Sequence, residues 1–231
     1  MLEHLGKELA LHIRIGGVEI AFNLAVIAAA VGVTIALALV ALWLRRGLSA
    51  DPDAPPSRRA AALAAAVELV EDQLLGGFTK SLRRRLLPLI ATLLLYVLLC
   101  NWASLLPIPY VVSPTQDLNV TMGLALMVYG LTHYYGIREK GFFRHLRGYF
   151  EPFPFLLPLN VVGDFGRTLS HGFRLFGNIL GGAILTTIVT EKFAPVLVPV
   201  VLNGWFGLFA GTIQAFVFAL LASAYIQVTA E

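Results

Sequence analysis

The sequence predicts an all-α polytopic membrane protein, on three observations. The chain is 58% apolar and 13% charged over 231 residues, with a mean hydropathy of +0.78, more apolar than a water-soluble domain of this length. A helix needs about 20 apolar residues to cross a bilayer core. Four stretches qualify: 18–44, 86–106, 118–135, and a tract from 159 to the C-terminus that is interrupted near Glu191 and long enough for two helices. No stretch shows the extended period-2 alternation of a membrane β-barrel. About five membrane-embedded helices are expected.

In chain order, residues 1–16 (MLEHLGKELALHIRIG) carry two acids and no apolar core before Ile13, so they do not read as a signal peptide and the first span, 17–45, is expected to be retained. Residues 46–85 form a basic loop. Its DPDAPPSRR stretch is a polar, proline-containing break. Beyond it, Leu63, Val67, Val70 and Leu74 recur at helical spacing, with Glu68, Glu71 and Asp72 on other faces. This reads as a short surface helix, either a docking site or a solvated connector. Residues 86–136 form a transmembrane hairpin, 137–158 a second basic loop interleaved with aromatics, and 159–231 the last pair of helices. That second loop suits contact with membrane lipid at an anionic leaflet.

The basic residues indicate orientation. Eight Lys or Arg lie from Arg45 to Arg85 and four from Arg138 to Arg147, whereas the connection 107–117 has none. By the positive-inside rule both basic loops face the cytoplasm, which puts the N-terminus outside and the C-terminus inside. The net charge of +3 is thus a statement about topology, and no nucleic-acid partner is expected. With Cys100 as the single cysteine, thiolate metal clusters and intrachain disulfides are excluded. The chain also lacks a Walker-type glycine loop, zinc-ligand spacing or a nucleophile elbow. No cofactor, metal or catalytic centre is expected.

The last tract is where charge is least expected. Beyond Glu151 its Asp, Glu, Lys and Arg residues are Asp164, Arg167, Arg174, Glu191, Lys192 and Glu231. An arginine at a helix centre costs about 2.5–3.5 kcal/mol on insertion scales, so it normally faces a cavity or a partner. Arg167 has Asp164 three residues earlier, at ion-pair spacing. Arg174 has Ser170, His171, Gly177 and Asn178 within a turn and no acid among them. Its counter-charge must come from water, from elsewhere in the chain, or from another subunit. Gly163, Gly166, Ser170, Gly177, Gly181 and Gly182 surround it, and small residues let another backbone come close. They serve either packing within the chain or a helix lying against a partner that carries the missing carboxylate.

RLFGNILGG at 174–182 preceded by DFGRTLS, TIQAFVFALLASAYI at 212–226, and NWASLLPIP with PTQDLNVTMGLAL within 101–126 resemble subunit a of the membrane sector of F-type rotary ATP synthases. The resemblance covers roughly 80–231, in three motifs in the family's order. It implies two offset half-channels beside a rotating ring of c subunits, with a b-subunit stator stalk as a further partner, in a bacterial plasma membrane. The subunit is non-catalytic by itself, and the last two helices lie steeply tilted as a hairpin against the ring. Arg174 matches the family's essential arginine, and Asn178 and Gln214 match polar positions near it. With His171, Asp164 and Ser170 these are the candidate ion-translocating residues. Asn101, Asp117 and Asn119 form a polar hairpin motif, structural or ion-guiding.

Departures from the family pattern concentrate near the outer half-channel. Ala183 stands where many members have a carboxylate and Gly207 where a polar residue, often histidine, is common. Thr168 replaces a proline and His171 a leucine. Protons are the expected ion, conducted by water along Asn178, Gln214, Thr186 and Thr187, and sodium is the alternative. His171 is either a replacement proton carrier or a packed side chain. A stand-alone transporter would need an inverted repeat, which the two halves do not show, and a membrane hydrolase would need a nucleophile facing a base.

Overall fold

The computed structural model describes residues 10–15, 18–46, 57–105, 113–151, 153–192 and 197–230. Residues 1–9, the proline-containing link at 51–56, the connection at 106–112 and Glu231 lie outside the described residues, as do the side chains of Glu191 and Lys192.

The first span is shorter than expected. Residues Ala10–Ile15 (β1) and Val18–Asn23 (β2) pair as an antiparallel hairpin, so the helix that was expected from residue 17 begins at Leu24. The cause is local: Val18, Ile20 and Phe22 alternate with Glu19, Ala21 and Asn23, and pair with Ile15, Ile13 and Leu11. Six residues are too few to cross a membrane but enough to pair. Asn23 then ends the strand by accepting from the Ala25 and Val26 amides, capping α1 (Leu24–Arg45). Most of α1 is exposed apolar surface, as a lipid-facing helix requires.

The remaining described elements are helical: α2 (Arg58–Leu75), α3 (Lys80–Trp102), α4 (Leu118–Lys140), α5 (Phe142–Gly148), α6 (Leu157–Lys192), α7 (Leu197–Asn203), a π-helical stretch Gly204–Ala210, and α8 (Gly211–Ala230). Four helical stretches among the described residues are long and apolar enough to cross a membrane, namely Leu24–Arg45, Lys80–Trp102, Pro154–Thr190 and Pro199–Ala230. The more polar α4 has the length of a fifth, and it packs against α6 and α8. The protein is an all-α polytopic membrane protein apart from the short leading hairpin.

Helix α8 is the hub, contacting α3, α4 and α6. Its small residues Ala215, Ala219 and Ala222 are buried with Phe218 and Ile226, opposite Leu86, Ile90, Leu93 and Val97 of α3. Without a hydrophobic effect between lipid-embedded helices, such small residues gain van der Waals contact by letting backbones approach. At the end bearing the basic loops, Arg83 pairs with Glu71 of α2 at 3.4 Å and Arg85 with Glu139 of α4 at 3.5 Å. The Ser223 hydroxyl donates to the Leu74 carbonyl, and only the last turn of α2, Leu74 and Leu75, is buried. Gly141 makes the turn from α4 into α5 at φ 85°, a conformation costly for a residue with a Cβ.

Candidate functional site: the polar faces of helix α6

Helix α6 has 36 residues, about 54 Å at 1.5 Å per residue, too long to stand upright in a hydrocarbon core of about 30 Å. Its two faces divide the work. Thr168, His171, Gly172, Leu175, Ile179 and Gly182 are buried toward the chain's own helices. A Cβ on Gly172 would strike Met122 and Ala125, and one on Gly182 would strike Phe206. Those two glycines serve internal packing.

The other small residues do not. Gly163, Gly166, Ser170, Arg174, Gly177 and Gly181 share one exposed face, and a Cβ at any of these four glycines would meet nothing within 4 Å. Arg174 sits in the middle of this smooth stripe. No ion pair among the described residues includes it.

Beside the stripe, Asn178 donates to the Gln214 side-chain oxygen at 2.6 Å, which ties α6 to α8 next to the arginine. Gln214 is buried, and its amide nitrogen has no hydrogen-bond partner among the described residues. His171 points the other way. It is 1% exposed, its Nε2 lies 3.1 Å from the Phe218 carbonyl, and its ring lies 3.9 Å from that of Phe218. This is a packed, hydrogen-bonded histidine. Ser170 remains on the open stripe, so the two adjacent residues face different surroundings.

Toward the basic loops, Asp164 is the centre of a second polar group. Its carboxylate is 3.3 Å from Arg167 and 3.4 Å from Nε2 of His133, and it accepts from the Tyr149 hydroxyl at 2.7 Å. Burial, helped by the adjacent Asp164 carboxylate, raises the Tyr149 hydroxyl above the usual phenol range, which keeps it a donor. Burial and the nearby His133 and Lys140 lower His145, which stacks edge-on against His133 and Tyr149. A cavity of about 310 Å³ opens here, lined by Arg144, His145, Tyr149, Asn160, Asp164 and Arg167 among others.

At the opposite end the polar hairpin motif is a clamp. Asn101 donates to the Gly211 carbonyl at 2.8 Å and accepts from Thr115 at 2.7 Å, while Ser113 donates to the Cys100 carbonyl at 2.7 Å. Asp117 caps α4 by accepting from the Asn119 amide at 2.8 Å, and Asn119 is exposed. Ala183 and Gly207 border a cavity of about 30 Å³ with Gln116, Thr186 and Asn203.

A family profile described as ATP synthase A chain matches residues 25–227. The chain belongs to the ATP synthase A chain family. It is 36% identical over 197 residues to ATP synthase subunit a 2 of a Picosynechococcus species, covering 84% of this chain and 80% of the relative. Over 185 residues it is 37% identical to ATP synthase subunit a 1 of Crocosphaera subtropica, covering 80% and 77%. A protein of Propionigenium modestum named as ATP synthase subunit a, sodium ion specific, is 37% identical over 169 residues, covering 68% of this chain and 58% of the relative.

For this member of the family, the sequence pointed to Asp164 with Arg167 and to the Arg174 stripe, but not to His133, His145, Tyr149 and Asn160, nor to Gln116 and Asn203. His133, Tyr149, Asn160 and Asn203 are single polar or amphipathic residues beside apolar or aromatic neighbours, a pattern equally typical of interface anchors, while His145 and Gln116 lie in polar stretches. Only their convergence in space marks them.

Proposed function

We propose that the chain is the stator-side ion-translocating subunit of an F-type ATP synthase, with two offset half-channels meeting a rotating c-ring at the exposed stripe of α6. The observation that carries this reading is Arg174, exposed at the centre of a smooth face with no ion-pair partner among the described residues. A ring carboxylate facing lipid is held neutral by burial, and one facing Arg174 is favoured as the anion by opposite charge. The ring therefore releases its ion only at this face. Arginine stays charged when desolvated, so it also bars direct passage between the half-channels and leaves rotation as the coupled route. The positive-inside rule applied to the basic loops supports an N-terminus outside and a C-terminus in the cytoplasm. The ring, and the b-subunit stalk that holds this chain against it, are the expected partners.

Protons are the ion we favour. The missing carboxylate at 183 leaves a lining of Gln116, Thr186 and Asn203 through which water conducts protons. Sodium is the second reading, supported by the sodium-specific name of the Propionigenium relative. The test uses inverted vesicles of the assembled complex. Arg174→Ala and Arg174→Lys should both abolish ATP-driven acidification while the subunit stays assembled, and normal acidification in Arg174→Ala would overturn the central role. For the unaltered complex, acidification indifferent to added sodium supports protons, whereas sodium-stimulated ATP hydrolysis without acidification supports sodium.

A further inference from the structure

The turn at Gly141 sets the end of α4 and the short helix α5 around a cavity of about 540 Å³, lined by Lys140, Phe143, Arg144, Arg147, Gly148 and Glu151. Three of these are cations and one is an acid. Among the described residues neither Lys140 nor Arg144 takes part in an ion pair. Arg147 reaches Glu151 only at 4.0 Å, with both side chains largely exposed, and a surface pair of that kind is worth little. The cavity is therefore left with positive charge that nothing in the chain balances. We propose that it is a binding site for the phosphate headgroup of an anionic phospholipid, held by Lys140, Arg144 and Arg147 with an acyl chain lying along Phe143. The site goes beyond the ion-translocating role and does not depend on which ion is carried.

Two features select a lipid over a free anion. Phe143 is the most exposed large apolar side chain among the described residues, at 85%, and it lines the charged cavity itself. A soluble anion gains nothing from a phenyl ring, whereas a phospholipid carries apolar carbon just beyond its phosphate. The surroundings continue the pattern. Phe142, Leu146, Phe150, Phe153 and Phe155 are exposed on α5 and on the segment that leads into α6, and aromatic side chains at the ends of membrane helices sit at headgroup level.

Charge and geometry then favour a phosphate. Basic residues beside a membrane helix are drawn to an anionic leaflet, each with about a fivefold gain in affinity. A guanidinium adds two parallel donors that match a pair of phosphate oxygens, which a point charge cannot do. Arg138 provides the contrast within the same loop. It does not line the cavity, and instead donates to the Tyr134 hydroxyl at 3.1 Å.

The test uses the assembled complex in phosphatidylcholine vesicles that contain a minor fraction of phosphatidylglycerol with a photoactivatable group on its acyl chain. After illumination the labelled lipid should be recovered on the peptide spanning 142–150. Lys140→Gln combined with Arg144→Gln should lower that label about tenfold or more, while label on the lipid-facing α1 stays unchanged. Arg144→Gln and Arg138→Gln each remove one charge from the loop, and only the first should matter. Equal losses in the two would show a diffuse attraction to the leaflet and overturn a built site. Displacement of the label by excess inorganic phosphate would make it a soluble-anion site, and cross-linking of the peptide to an acidic protein segment in place of lipid would make it a protein contact; either result overturns the lipid assignment. Should the Arg144 variants fail to assemble, the unaltered complex still decides. A phosphatidylcholine probe with the same photoactivatable group should label the 142–150 peptide several-fold less than phosphatidylglycerol, and equal labelling would overturn the proposal.

Discussion

Arg174 and His171 lie three positions apart on one helix, and the fold gives them opposite surroundings. The arginine is exposed on the smooth stripe, while the histidine is buried against Phe218 and bonded to its carbonyl. A buried side chain with a fixed partner contributes to packing, and its hydrogen bond is worth about 1 kcal/mol. His171→Leu, which restores the apolar residue usual at this position in the family, should therefore lower the thermal unfolding midpoint of the solubilised complex by a few degrees at most. The acidification rate per assembled complex should stay close to that of the unaltered protein. Loss of pumping at normal assembly would instead make His171 a proton carrier, the other role open to it from sequence.

At the scale of elements, α6 carries two sets of glycines that sequence cannot distinguish. Gly172 and Gly182 are filled from within by Met122 and Phe206, whereas Gly163, Gly166, Gly177 and Gly181 face open space. Gly177→Leu should accordingly leave the subunit folded and inserted, because nothing in the chain is displaced. It should still prevent close approach of a ring helix, so the purified chain should come out with much less c subunit than the unaltered one. Gly182→Leu should do the reverse of the first effect and reduce the amount of folded subunit, since overpacking a core costs about 1–3 kcal/mol. Equal yields of ring with Gly177→Leu would show that the stripe is not the ring-facing surface.

For the whole molecule, the bundle has one end tied by ion pairs, Arg83 with Glu71 and Arg85 with Glu139, and another tied by the Asn101 clamp. Basic loops of this density stay on the cytoplasmic side, so the ion-paired end should be inside. Single cysteines at Glu68 and Asn119, both exposed, test this in a Cys100→Ala background. An impermeant maleimide should reach position 68 only from the cytoplasmic face and position 119 only from the other. Labelling of 119 from the cytoplasmic face would invert the orientation and with it the leaflet that the α5 cavity faces.

The sequence by itself determined the class of the protein, the approximate places of its helices and the anomaly at Arg174. Apolar length, basic-loop bias and a charge without a neighbour of opposite sign are all local properties of the chain. Local pairing also explains the shorter first helix: Val18, Ile20, Ala21 and Phe22 continue the apolar run that leads into the helix, and pairing with Ala10–Ile15 makes the segment a strand. Tertiary structure decided what depends on facing. It turned His171 inward and Ser170 outward, joined Asn178 to Gln214 across 36 positions, and brought His133 and Tyr149 to Asp164 from separate elements. Hydropathy and spacing give how much of a helix is apolar and on which side, but not which neighbour that side meets, and in a membrane bundle both lipid and protein neighbours are apolar, so the distinction is made by packing alone.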